Sequence, residues 1–396
     1  MPKQCTYPFS RRILATPRSF IREILKVTER PDIISFAGGL PSPAFLDAAG
    51  VSAASESVLR EDGCAALQYS TTEGYLPLRE WIADRYHTRL GLRVDPGEIL
   101  ITHGSQQTLD LLGRIFLNEG DPVAIEAPGY LGAIQAFSQY MPRFCPVLMG
   151  SEGPDPSGIA RVLEEDDPVF FYAIPNSQNP SGITCTPGRR EEVAGLLADT
   201  GTLLVEDDAY GEIRFNGDHP PSYRSLLGDR ALLLGSFSKI VAPGLRLGWL
   251  CAPEEVIEMA VTAKQASDLH SNILAQRVLC RYLAENDLNA HIAKITRAYA
   301  GQCSLMVRLM EELFPAEVKF TRPDGGMFIW LTLPEGASAM ELYRKTLEEK
   351  VAILPGTPFY TDGGGDRGVR LNFSNSDEGK IRTGIARLAG VLENYL

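Results

Sequence analysis

An α/β fold, with a large domain on a mostly parallel, doubly wound sheet and a smaller α+β domain, is predicted by three observations. Short apolar runs alternate with stretches of helical period through the middle of the sequence. The runs end repeatedly in small or polar residues, as strands of a parallel sheet covered on both faces do. The chain has 396 residues, which at roughly 150 per domain leaves room for two domains.

The expected strands are Ile99 to Thr102, Val123 to Glu126, Val169 to Ile174, Leu203 to Glu206 and Leu232 to Gly235, each followed by a turn or a helical segment. Such units build one open sheet. From Asp287 to Leu313, the positions Ile292, Ile295, Tyr299, Leu305, Leu309 and Leu313 keep a helical period until Pro315 ends it, giving one long helix suited to joining two domains. Beyond it, Met327 to Leu331 and Val369 to Phe373 read as strands around a helix from Ala339 to Lys350. The run Gly363 to Gly365 lacks the lysine and helix of a phosphate loop and reads as a loop tip. The expected division is an arm and helix over 1–45, a large domain over 46–286, and a connecting helix with a small domain over 287–396.

Composition narrows the function. Hydrophobic residues make up 44% and charged residues 22%, which excludes a disordered or fibrous chain, and no apolar run approaches the ~18 residues of a membrane helix. The net charge of -12 repels phosphodiester backbones and argues against nucleic acid as a partner. The seven cysteines are scattered without a CxxC pair, so neither a disulfide framework nor a metal site is expected, and a reducing, cytoplasmic setting is. No long apolar h-region marks a secretory signal. Lys3, Arg11, Arg12, Arg18 and Arg22 precede the first acid, Glu23, a weak likeness to a transit peptide, but Pro8 and Pro17 interrupt any amphipathic helix there. An arm packing on the body is the expected reading.

The chemistry gathers at strand ends. Lys239 is the only lysine between Lys26 and Lys264, directly after the strand Leu232 to Gly235, in Ser236-Phe237-Ser238-Lys239. Open α/β sheets place ligands at that edge. An amine there can form an imine with a carbonyl compound if desolvation and nearby positive charge lower its pKa. Arg246 follows in a Pro243-Gly244 turn, and a fixed guanidinium near two serines makes a phosphate pocket. Gly104-Ser105-Gln106-Gln107 carries a strand into a helix whose free N–H groups attract an anion, or whose serine is a plain cap. Glu206-Asp207-Asp208 with Tyr210 ends another strand. One acid there could keep a heteroaromatic nitrogen protonated, cap a helix or serve a loop, and the residues alone leave all three open. Asn176 to Gly182 reads as a tight turn after a further strand.

Taken together, Ser236 to Lys239, the Arg246 turn, Asp207 with Tyr210, and Asn179-Pro180-Ser181-Gly182 resemble the fold type I pyridoxal-phosphate aminotransferases of class I/II. Ser35 to Pro41, Leu67 to Ser70 with Gly74, and Leu76 to Arg79 further resemble the 2-aminoadipate/kynurenine aminotransferase branch. The resemblance runs from about Arg18 to the C-terminus. It implies that Lys239 holds pyridoxal 5'-phosphate covalently and then acts as general acid/base. It implies that Asp207 pairs the ring nitrogen, that Asn179 and Tyr210 bond the ring's 3-oxygen, and that Tyr130 stacks on the ring face. Ser105, Gln106, Ser236, Ser238 and Arg246 would form the phosphate cup, completed by Tyr69 of a second subunit, hence a homodimer. Arg370 would clamp the substrate α-carboxylate, Gly39 would line the substrate position, and Arg22 matches an arginine that can read a distal carboxylate. The expected activity is ping-pong amino transfer between an L-amino acid and a 2-oxo acid, with glutamate/2-oxoglutarate as one pair. The same lysine and cofactor also suit lyase, decarboxylase, racemase or oxidase chemistry. A ligand-sensing regulator is the remaining alternative, against which stand the acidic charge and the short stretch before the matched region.

Overall fold

The computed structural model describes residues 7–16, 30 and 32–396. A short strand, β1 (Ile34–Ser35), opens the body. The large sheet takes β2 (Ile99–Thr102), β3 (Pro122–Ala127), β4 (Arg143–Gly150), β5 (Gly153–Pro154), β6 (Phe170–Ala173), β7 (Leu203–Asp207), β8 (Ala231–Ser236) and β9 (Gly248–Cys251), in the order β2-β9-β8-β7-β6-β3-β4-β5. The run from β8 through β7, β6 and β3 to β4 is parallel. β9 lies antiparallel between β2 and β8, and β5 is a short antiparallel return on β4.

All five strands expected from the sequence are therefore present, with three more. β4 carries Pro146 in mid-strand and β9 begins at Gly248, residues that read as breakers. From β3 the chain moves to β4 on one side, whereas from β6 it moves to β7 on the other. The crevice between those departures is the switch point at which open sheets bind ligands.

Helices cover both faces, and the pleat sorts the side chains. Phe170 and Tyr172 of β6 join one core with Leu109, Leu234 and Trp249, while Phe171 and Ala173 join another with Val193, Leu197 and Tyr223. The long helix spans Leu288–Leu313, capped by Asp287, which accepts from the Ala290 N–H, with Ile292, Ile295, Tyr299 and Leu309 buried.

The second sheet is antiparallel. It comprises β10 (Lys319–Phe320), β11 (Phe328–Thr332), β13 (Leu354–Pro355) and β14 (Gly368–Asn372) in the order β10-β11-β14-β13, with helices Ala339–Glu348 and Glu378–Tyr395 packed on it. Between them β12 (Val351–Ala352) pairs parallel with β1, which fastens the N-terminal segment to this unit. No helix among the described residues is long and apolar enough to cross a membrane, and no group of three or more His, Cys, Asp or Glu among them could hold a metal ion.

Candidate active site

The carboxyl edge of the large sheet opens into a cavity of about 360 Å³. Register explains why separate segments meet there. Gly248 stands opposite both Ser236 of β8 and Thr102 of β2. Because β9 runs backwards, the residues that enter it share an edge with those that leave its neighbours, so Arg246, Ser236, Ser238 and the helix Ser105–Phe116 converge. The packing needs glycine. A Cβ on Gly248 would stand 2.7 Å from the Ser105 nitrogen, and one on Gly104, whose φ is 73°, would stand 2.9 Å from Arg246 Nη2. Arg246 itself holds a left-handed φ of 54° and donates to the Pro243 and His103 carbonyls at 3.3 and 3.4 Å. Ser238 N–H donates to Ser236 Oγ at 3.2 Å, and Gln106 Nε2 to the Gly132 carbonyl at 2.8 Å.

Lys239 reaches into the cavity from the turn after β8, with Nζ donating to the Gly39 carbonyl at 2.9 Å and lying 6.0 Å from the Tyr210 ring centre. Burial of the amine, then the Arg370 and Arg246 guanidinium groups, lower its pKa to about 8. Such a fall raises the neutral, nucleophilic fraction near pH 7 by about two orders of magnitude.

The three acids Glu206, Asp207 and Asp208, at the end of β7 and just beyond it, divide their work by the pleat. Glu206 points away from the cavity, where Ser222 Oγ and the Arg224 N–H donate to it at the start of a short helix. Asp208 pairs with Arg89 at 2.6 Å and accepts from Asn176. Asp207 alone lines the cavity, buried, with Tyr172 donating to Oδ2 at 2.7 Å. Tyr172 stands opposite Val205 in the β6–β7 register, so it meets Asp207 diagonally on the same face. Burial raises the Asp207 pKa to about 6 against the Tyr172 hydrogen bond.

Asn179 and Tyr130 come from the turns after β6 and β3, at the switch point. Asn179 Nδ2 donates to Tyr210 Oη at 3.4 Å, and Arg370 Nη1 donates to Asn179 Oδ1 at 2.8 Å. Burial holds both tyrosine hydroxyls protonated, with that of Tyr130 pushed up to about 12. Arg370, in the middle of β14, is 2% exposed, donates to the Ala37 carbonyl at 2.7 Å, and lies over the Phe328 and Phe359 rings at 4.3 and 5.3 Å. Among the described residues no carboxylate pairs with it. A guanidinium so far from water needs an anion from elsewhere.

The structure thus brings together Gly39, Ser105, Gln106, Tyr130, Asn179, Asp207, Tyr210, Ser236, Ser238, Lys239, Arg246 and Arg370 around one cavity. Tyr69 does not line it in its own chain. It is 79% exposed, its ring 5.7 Å from that of His270. Arg22 lies outside the described residues. Missed in the sequence were Tyr172, the ring pair Phe328 and Phe359, and Gln178, whose Nε2 donates to Glu126 and to the Pro128 carbonyl. The lone hydroxyl in the run Phe170–Ala173 was the available signal, since a buried tyrosine needs a partner.

The residues suit pyridoxal phosphate. Asp207 Oδ1 and Arg370 Nε are buried polar atoms without a hydrogen-bond partner among the described residues. The first is an acceptor that a protonated ring nitrogen could satisfy, and the second a donor that a carboxylate could take up. Arg246 and the N-terminus of the helix Ser105–Phe116, which line the same cavity, could cradle a phosphate.

Comparison with known proteins gives the same answer. The profile of the family "Aminotransferase class I and II" matches residues 40–388. The 2-aminoadipate transaminase of Thermus thermophilus is 44% identical over 96% of this chain and 94% of its own length. The crystal structure of the α-aminoadipate aminotransferase LysN of Thermus thermophilus, complexed with N-(5'-phosphopyridoxyl)-L-leucine, superposes with a TM-score of 0.91 and 41% identity, covering 98% of this chain and 97% of that one. A kynurenine aminotransferase of Pyrococcus horikoshii superposes with a TM-score of 0.93 and 39% identity, covering 98% and 97%. The chain therefore belongs to the class I and II aminotransferases and is a fold type I enzyme dependent on pyridoxal phosphate.

Proposed function

We propose that this aminotransferase passes an amino group from a 2-aminoadipate-like, aromatic or aliphatic L-amino acid to 2-oxoglutarate, releasing glutamate. The observation that carries the reading is a buried guanidinium, Arg370, with no carboxylate partner among the described residues, in one cavity with the amine of Lys239. Named activities of the similar proteins support the donor class. Incubation with 2-oxoglutarate and a panel of amino acids is expected to yield one glutamate per donor consumed; release of ammonia or carbon dioxide without glutamate would overturn it.

Bound here, the cofactor supplies an electron sink for the substrate Cα–H bond. Asp207 would hold its ring nitrogen, Asn179 and Tyr210 its 3-oxygen, and Tyr130 its ring face. Ser105, Gln106, Ser236, Ser238 and Arg246 would hold its phosphate. Lys239 Nζ would anchor the cofactor and, as general acid/base, would carry the proton that leaves the substrate Cα. Arg370 grips the α-carboxylate in a two-pronged contact, and Gly39 leaves room beside it. We infer a cytoplasmic homodimer in which Tyr69 reaches the partner's phosphate, supported by its exposure away from its own cavity, and read 1–45 as an arm, 46–286 as the cofactor domain and 287–396 as the small domain.

Two outcomes follow from this assignment. Tyr172→Phe removes a donor that favours the Asp207 carboxylate, so the Asp207 pKa rises, and the acidic limb of kcat/KM is expected to move to higher pH; an unmoved limb refutes the link. Arg22→Ala is expected to lower kcat/KM for acidic donors by about 10- to 100-fold, the worth of one charge-assisted contact, and to spare apolar ones; equal loss across the panel refutes a side-chain role.

A further inference from the structure

Behind the wall of the cavity lies a polar cluster that none of these assignments uses. The side chain of Lys264, on the helix Glu254–Gln265, is fully buried, with Nζ 2.9 Å from both oxygens of Asp268 and 2.9 Å from Gln107 Oε1. Gln107 Nε2 donates to Asp268 Oδ2 at 2.7 Å, and the His103 ring Nε2 stands 3.3 Å from the same oxygen. Gln107 Oε1 also accepts the backbone N–H of His103 at 2.8 Å. Burying an ammonium is costly unless it is paired and hydrogen-bonded. Here the pair fixes an amide whose remaining acceptor capacity holds one peptide group of the chain.

That peptide belongs to the turn feeding the helix Ser105–Phe116. The His103 carbonyl accepts Arg246 Nη2, and Gly104 packs directly on the guanidinium. We propose that Gln107, held by the Lys264–Asp268 pair, is a positioning residue for the phosphate cup: it fixes the His103–Gly104 turn, and through it the aim of the helix N-terminus and of Arg246. The proposal rests on the cup assigned above. Gln107 does not line the cavity itself, so it acts through its neighbours. An anion bound by several converging donors loses affinity when the donors are misaimed by a fraction of an ångström.

The test compares two aldehydes that differ only in the phosphate. The full-length protein, stripped of cofactor, is titrated with pyridoxal phosphate and with pyridoxal. Arg246→Ala tests the cup and is expected to weaken pyridoxal phosphate about 100-fold and pyridoxal less than about 2-fold. If it weakens both equally, the cup assignment itself fails. Gln107→Leu keeps the side-chain volume and the Lys264–Asp268 pair, and is expected to weaken pyridoxal phosphate about 10-fold with pyridoxal unchanged. If Arg246→Ala behaves as expected while Gln107→Leu leaves the ratio of the two affinities unchanged, the cup stands and the positioning role is overturned. Should Gln107→Leu not fold, Asp268→Asn, which keeps the shape and removes the charge that holds Lys264, is expected to lower the same ratio, and an unaltered ratio overturns the proposal.

Discussion

Replacing Lys239 with alanine is expected to abolish the protein's own near-visible absorbance and to lower turnover by at least about 1000-fold, since in the proposed assignment one side chain supplies both the anchor and the moving proton. The contrast between the part-buried Lys239 and the buried Lys264 gives the expectation its edge. Burial lowers the pKa of both amines, but at Lys264 a carboxylate at 2.9 Å opposes the fall, whereas at Lys239, which donates to a carbonyl, two guanidinium groups add to it. With a pKa of about 8, Lys239 carries a useful free-base fraction near neutral pH, so its reaction with an aldehyde should quicken as the pH rises through about 8. Borohydride reduction followed by peptide mapping should find the cofactor on Lys239 alone. A label on Lys264, or an Arg246-dependent spectrum that survives Lys239→Ala, would overturn the assignment.

Arg370→Ala is expected to lower kcat/KM for every amino acid by about 100- to 1000-fold, the cost of removing one member of a desolvated charge pair. The loss should fall on all donors alike, because the α-carboxylate is common to them. Arg370→Lys keeps the charge but not the planar fork, and should recover a small part. The same guanidinium donates to Asn179 Oδ1 and the Ala37 carbonyl, so a urea melt must accompany the kinetics. A donor-selective loss at unchanged stability would move Arg370 from the carboxylate to a side-chain subsite.

Much of this site was legible because parallel sheets expose their chemistry at one edge, in residues adjacent in sequence to recognisable strands. Lys239 follows β8, Asp207 ends β7 and Ser105 follows β2. The pleat then decided among Glu206, Asp207 and Asp208, which no local signal separates. Tyr172 and Gln178 were hidden for a different reason. Their partners, Asp207 and Glu126, lie on other strands, and such contacts depend on a register that a single sequence does not display. β4 and β9 were obscured by Pro146 and Gly248. Glycine at 248 is there because the backbone of Ser105 comes too close for any side chain, a tertiary demand that looks locally like a break.

The reversal of β9 carries one more consequence. With Ser236 opposite Gly248, segment 237–247 is a hairpin loop pinned at both feet, and it carries both the reactive amine and the guanidinium assigned to the opposite, anionic end of the bound molecule. The spacing between those two groups is thereby written into the length of a single loop. Lengthening or shortening it by even one residue would put amine and guanidinium out of step, whereas the solvent-facing Gly363 loop should accept insertions freely.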